Sequence, residues 1–222
     1  MSRFDLVIFD YDGVIADSEL LNNQAMAEVL TGIGLPTSLE QSLALYMGRR
    51  WLDCRPDIEA ALGRPCPETT LDDWTRLCHS RAATQLTAVR GAADFMASLS
   101  QPRCIASSSP PDWIELGLET MGIAVADAGP IYSGAVHVTR GKPHPDLFLH
   151  AARELGADPA RTLVIEDSTP GVQAGVAAGM TVAGLLAGGH IRDGHAERLA
   201  AAGAHHIVPD YAAIRAVMER PH

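Results

Sequence analysis

A short apolar run that ends abruptly in acid constrains this chain more than any other stretch. Leu6-Val7-Ile8-Phe9 is continuous and β-prone, and reads as a strand covered on both faces in a parallel sheet. Asp10 and Asp12 follow across Tyr11, and Gly13 supplies the permissive backbone that a tight turn off a strand end requires. An open α/β sheet binds its ligands beyond such strand ends. Two carboxylates this close repel, so both stay ionised only where a cation or hydrogen-bond donors compensate them, and a bound metal is the usual answer. Taken alone, the pair reads equally well as caps of a turn or of the next helix.

A chain of 222 residues can bury one good core and a smaller lobe, and a hydrophobic fraction of 47% argues against extended disorder. A formal charge of -10 with no basic run points away from nucleic acid and anionic membrane surfaces, so an anionic substrate must be met locally. Cys54, Cys66, Cys78 and Cys104 form no CxxC pair and read best as reduced thiols of a cytoplasmic protein, with a pairing among them left open. The N-terminal apolar segment is short and ends in Asp, which fits neither a signal peptide nor a membrane span. Lys142 is the only lysine in a sequence whose other basic residues are arginine. A compact, deformable ammonium, not a planar guanidinium, is then wanted at that position.

Behind Asp17 and Ser18, a candidate N-cap, the spacing predicts a helix from Glu19 to Leu30, and further helices over Leu39 to Tyr46, Trp51 to Leu62 and Leu71 to about Leu86. No strand pattern interrupts them. Residues 17–89 are therefore expected to be an all-helical cap inserted between a first core segment, 1–16, and the remaining core, 90–222. From Ala92 onward strand and helix patterns alternate, with strands at Arg103 to Ser107, Ile131 to Ser133, Thr162 to Ile165, Thr181 to Leu186 and Ile207-Val208. The expected fold is α/β, a Rossmann-like doubly wound parallel sheet.

Three later strand ends are polar, like the first. Ile105-Ala106 runs into Ser107-Ser108-Ser109, whose hydroxyls and amides suit an anion, although a Ser-rich turn is the commoner meaning of such a run. Gly141-Lys142-Pro143-His144-Pro145-Asp146 fixes the sole lysine in a stiff segment, where it can neutralise a phosphate and nearby carboxylates. Val164-Ile165 ends in Glu166-Asp167, and Ser168 or Asp167 could simply cap the next helix. If the two acidic ends converge, they make an oxygen-rich site for a hard cation, Mg²⁺ first.

These four ordered strand ends resemble the motifs of the haloacid dehalogenase superfamily, in particular its branch of β-phosphoglucomutase-like and phosphoglycolate phosphatase-like members with a helical cap. Asp10-Tyr11-Asp12-Gly13-Val14-Ile15 resembles the first motif, Ser107 the second, Lys142 within Gly-Lys-Pro-His-Pro-Asp the third, and Glu166-Asp167-Ser168 with Gly171 the fourth. The resemblance implies a nucleophilic Asp10 that forms an aspartyl phosphate and an Asp12 that protonates the leaving oxygen and then deprotonates water. It also implies Mg²⁺ held by Asp10, the Asp12 carbonyl and Asp167, with Glu166 as ligand or one step behind, and phosphoryl oxygens held by Ser107, the Ser108 amide and Lys142.

Within that superfamily the second aspartate argues against dehalogenation, and a helical insertion without lysine argues against phosphonate hydrolysis through a Schiff base. A mutase would carry a histidine early in the first cap helix, where this chain has Asn22 and Asn23, and its loop arginine is displaced here. The expectation is a phosphatase for a small phosphorylated metabolite, a sugar or sugar-acid phosphate; a β-phosphoglucomutase-like phosphomutase is the alternative, and a non-catalytic binding protein a third. Gly48-Arg49-Arg50-Trp51 is the expected selectivity loop, with an arginine clamping a second anion and Trp51 as an apolar wall, or else two solvated arginines and a core tryptophan.

Overall fold

The computed structural model describes residues 3–219. Its strands are β1 (Leu6–Phe9), β2 (Arg103–Ser107), β3 (Ile131–Ser133), β4 (Thr162–Glu166), β5 (Thr181–Leu185) and β6 (His206–Val208). They form one parallel sheet in the order β3-β2-β1-β4-β5-β6, with β1 at the centre and the topological switch between β1 and β4. The expected fold class is the one observed.

The four residues of β1 are fully buried and divide between the two faces. Val7 and Phe9 join a cluster with Phe95 of α5 (Ala92–Ala97), Ile114 of α6 (Pro111–Thr120) and Ile214 of α11 (Tyr211–Glu219). Leu6 and Ile8 pack with Phe148 of α8 (Asp146–Glu154) and Val172 of α9 (Thr169–Ala177). Burying each such side chain contributes about 1.5–3 kcal/mol. With both faces apolar, hydrophobicity alone does not choose the register; a slip by one residue would draw the Asp10 carboxylate into the apolar layer, at a cost of several kcal/mol.

Between β1 and β2 run α1 (Glu19–Gly32), α2 (Leu39–Leu45), α3 (Trp51–Leu62) and α4 (Thr70–Gln85). They bury a separate cluster of Met26, Leu30, Tyr46, Cys54, Ile58 and Cys66. The chain enters and leaves this layer along two adjacent crossings: the Asp17 N–H donates to the Thr87 carbonyl and the Val89 N–H to the Ile15 carbonyl, both at 2.8 Å.

Two short helices were not legible, α7 (Val125–Ala128) and α10 (His195–Ala201). Neither offers a long apolar stripe: of α10 only His195 and Leu199 are buried. Ser18 stands at the N-cap of α1, as expected, but its side chain caps nothing, because the hydroxyl donates to Asp12. All four cysteines are free and buried. Among the described residues no helix is long and apolar enough to cross a membrane.

Candidate active site

The polar ends of β1, β2 and β4, and the loop before α8, meet at the carboxyl edge of the sheet. Asp10 and Asp12 are 3% and 7% exposed, and Gly13 turns the chain with φ +74°. That turn also needs an absent side chain, since a Cβ on Gly13 would lie inside the Asp167 carboxylate. Lys142 Nζ lies 2.9 Å from Asp10 Oδ1 and 2.6 Å from Glu166 Oε1. The other oxygen of Glu166 accepts from the Asp167 N–H, the Ser168 N–H and the Ser168 hydroxyl, each at 2.9 Å. Ser168 in turn accepts from the Gly171 N–H and caps α9, as one reading of the sequence had it.

Three carboxylates, Asp10, Glu166 and Asp167, each bring an oxygen within 4.8 Å of the others. Their partners differ. Glu166 is saturated by Lys142 and the turn that follows it, whereas Asp10 Oδ1 and both oxygens of Asp167 are buried without an aligned hydrogen bond. Buried carboxylate oxygens with so few aligned donors fit a hard cation, for which Asp10 and Asp167 could serve as direct ligands, with Glu166, already paired with Lys142, as a third or one step behind.

The charge balance agrees. Burial raises the Asp10 carboxyl well above its ordinary value; Lys142 opposes this, and the Glu166 and Asp167 charges add to it. Asp167 is raised first by burial, with His190 opposing. For Lys142 burial works against the charge, but Asp10 and Glu166 outweigh it and hold the ammonium above its ordinary value. Among the described residues Lys142 is the one lysine or arginine in contact with these three acids, and the His190 ring lies against Asp167.

Asp12 is held differently, by four donors. Its Oδ1 accepts from the Ser18 hydroxyl at 2.5 Å and from the Asn22 amide and Trp113 indole, both at 3.0 Å; its Oδ2 accepts from the Ser109 hydroxyl at 2.5 Å. A cavity of about 50 Å³ opens between Asp10, Asp12, Glu19, Asn22, Ser107 and Gly48. Ser107 is buried and its hydroxyl accepts from the Ser109 N–H; the Ser108 hydroxyl donates to the Gly48 carbonyl at 2.9 Å, which docks the helical layer on the sheet edge.

Gly48 takes φ +74° and comes so close to Ser168 that a Cβ would sit 2.6 Å from its hydroxyl. Arg49 and Trp51 border the small cavity. Arg50 does neither thing expected of it. It is buried, and its five N–H groups go to both Asp53 oxygens and to the carbonyls of Gly134, Val138 and Thr139, so it is neither solvated nor free to clamp an anion.

Glu19, Trp113 and His190 escaped the sequence reading as site residues, and Asn22 was read there only as the lack of a mutase histidine. Glu19 borders the small cavity, its carboxyl raised by burial and then by the charges of Asp167, Asp12 and Asp10. Asn22 and Trp113 hold Asp12, and His190 Nε2 lies 3.0 Å from Asp167 Oδ2. No spacing rule links a tryptophan a hundred residues away to a carboxylate; the Pro110-Pro111 pair marked only the start of its helix.

The family model for haloacid dehalogenase-like hydrolases matches residues 4–179. The chain is 30% identical to the fructose-1-phosphate phosphatase of Escherichia coli K12 over 80% of its own length and 94% of that protein's. Among solved structures it resembles a haloacid dehalogenase-like protein of unknown function from Agrobacterium tumefaciens C58, with 34% identity, a TM-score of 0.80 and 96% and 97% of the two chains covered. A hydrolase of the same family from Deinococcus radiodurans R1, solved with phosphate and sodium, shares 35% identity at a TM-score of 0.74, covering 98% of this chain and 96% of that one. The chain belongs to the haloacid dehalogenase-like hydrolases.

Proposed function

We propose that this hydrolase is a Mg²⁺-dependent phosphatase for a small sugar phosphate and that it works through an aspartyl phosphate on Asp10. The observation that carries the reading is the convergence of Asp10 and Asp167, whose buried oxygens lack an aligned hydrogen bond, on the Lys142 ammonium. The name of the fructose-1-phosphate phosphatase supports the substrate class.

Asp10, the Asp12 carbonyl and Asp167 would hold the metal. Bound there, Mg²⁺ would supply positive charge between a nucleophilic carboxylate and the phosphoryl oxygens. Lys142 shares that neutralisation and opposes protonation of Asp10, while Ser107 and the Ser108 amide hold the phosphoryl group. An Asp10 oxygen attacks phosphorus as the ester P–O bond breaks, and Asp12 gives its proton to the leaving oxygen. Asp12 then takes a proton from water, whose oxygen attacks the same phosphorus, releasing phosphate and restoring Asp10. Four donors already occupy the Asp12 oxygens, so one of them must release before Asp12 donates.

Helices 17–89 act as the cap that encloses the reaction, hinged at the paired crossings of Asp17 and Val89. Asn22 puts a non-titrating amide on the Asp12 carboxylate, where a mutase would carry a histidine, and this favours hydrolysis over phosphoryl transfer between sugar hydroxyls. Free buried thiols fit a reducing compartment, the cytoplasm. With Mg²⁺, p-nitrophenyl phosphate should be hydrolysed, and Asp10→Asn should lower kcat by at least about a thousandfold. Equal rates for the two proteins, or glucose 1-phosphate isomerised without phosphate release, would count against the reading.

A further inference from the structure

Beside the small cavity lies a second, of about 320 Å³, within the range of small-molecule pockets. The two are continuous, since Asn22, Arg49, Trp51, Trp74, Ser108 and Ser109 border both. The chain has three tryptophans, and all three line this chamber. Trp51 and Trp74 lie 6.3 Å apart at 35°, and His79 stacks on Trp113 at 5.5 Å and 16°. The indole N–H groups of Trp74 and Trp113 are occupied, by the Asn22 carbonyl and Asp12, so these rings offer faces and not donors. Leu52 and Leu71, 67% and 38% exposed, form the outer rim.

Charge is the second feature. Among the described residues no carboxylate lines the chamber, and both arginines on its wall are engaged: Arg50 through all five N–H groups, Arg49 through three, to Asp57 and the carbonyls of Leu45 and Asp53. Recruiting Arg50 for a second anion would strip a partner from Asp53 or from a carbonyl, and the charge of Arg49, which keeps two N–H groups in hand, is already met by Asp57. Two polar atoms on the wall remain unpartnered and buried, Asn22 Oδ1 and His79 Nε2. Unmet polar atoms among aromatic faces call for hydroxyl groups on a ring, not for a charge.

We propose that this chamber receives the leaving group and selects an uncharged, hydroxylated ring with one apolar face, a pyranose or cyclitol, over open-chain and carboxylate-bearing phosphates. The assignment rests on the phosphatase reading. Seated there, the ring lays its apolar face on Trp51 and Trp74, its edge hydroxyls reach Asn22 and His79, and the phosphate enters the small cavity.

Four esters of a primary alcohol test it, because their leaving oxygens are alike: methyl α-glucopyranoside 6-phosphate, locked as a ring; sorbitol 6-phosphate, open; 6-phosphogluconate, open and anionic; and glycerol 3-phosphate. With the full chain and Mg²⁺, kcat/KM for the locked ring should exceed that for each of the others at least tenfold. Thr75→Trp, which fills the chamber from α4, should lower the ratio of the locked-ring rate to that for acetyl phosphate at least tenfold. In the Asp10→Asn protein the three tryptophans report binding directly, and the locked ring should shift their emission with a Kd at least tenfold below that of sorbitol 6-phosphate. Equal constants for ring and open chain, or a preference for 6-phosphogluconate, would overturn the chamber's selectivity. Failure to turn over acetyl phosphate would instead overturn the phosphatase chemistry, and the leaving-group assignment with it.

Discussion

Lys142 shows how much one side chain carries here. Its ammonium touches two buried carboxylates and lies 5.0 Å from the centre of the Phe148 ring. Lys142→Ala should destabilise the protein by about 3–5 kcal/mol, because it leaves Asp10 and Glu166 buried and uncompensated. Urea unfolding at neutral pH measures this, and Mg²⁺ should recover part of the loss. Lys142→Arg should be little better, since a planar fork cannot occupy the space between two oxygens that a point charge fills. The sole lysine was legible in sequence as a special position; its double pairing was not, because Asp10 and Glu166 stand on different strands and only the parallel register of β1 and β4 brings them together.

At the scale of the element, the loop before α3 ties the helical layer to the core. Arg50 bonds three carbonyls of the segment after β3 and presses on Gly141, where a Cβ would meet the Asp53 carboxylate at 2.6 Å, so the residue before Lys142 must be small. Arg50→Ala should cost about 2–3 kcal/mol in urea unfolding. It should also speed hydrogen exchange across residues 134–139 and lower kcat/KM several-fold; unchanged exchange there would show that the layer is held elsewhere. Arg140 grips Asp146 at the other end of the same loop, through bonds of 2.9 and 2.7 Å, and holds that carboxyl below its ordinary value of 3.8. A depressed folded value stabilises above 3.8 and is lost as the pH falls through it. Arg140→Ala should therefore cost a few tenths of a kcal/mol at pH 7, as an exposed pair does, and nothing once Asp146 is protonated. Apolar periodicity made α1, α3 and α4 legible to within two residues, but Arg50 read as a solvated or substrate-binding residue because its partners are backbone carbonyls, which leave no mark in a sequence.

For the whole molecule, the succession of strands along the chain and the polar ends of β1, β2 and β4 were legible because each is a local pattern, whereas Lys142, expected at a strand end, lies in the loop before α8. The aromatic chamber was not legible, since Trp51, Trp74 and Trp113 converge only when the helical layer folds back on α6. The same convergence concentrates acid, and its cost should appear as a dependence of stability on pH. Burial raises the carboxyls of Asp10, Glu19 and Asp167 above their unfolded values of 3.8 to 4.5. A raised folded value means that the folded state binds the proton more tightly, so stability is greatest below the unfolded value and falls as the pH climbs toward the folded one. In EDTA the protein should thus melt at a lower temperature at pH 8.0 than at pH 5.5. Saturating Mg²⁺ should reverse that slope, because the cation binds the deprotonated site; at a hundredfold excess over its Kd it adds about 2.7 kcal/mol. Asp10→Asn removes one of the titrating acids and one ligand together, so it should flatten the EDTA profile and shrink the Mg²⁺ increment. A melting temperature in EDTA that rises from pH 5.5 to 8.0 would mean that the three acids are already compensated within the protein, and that a cation is not what their arrangement requires.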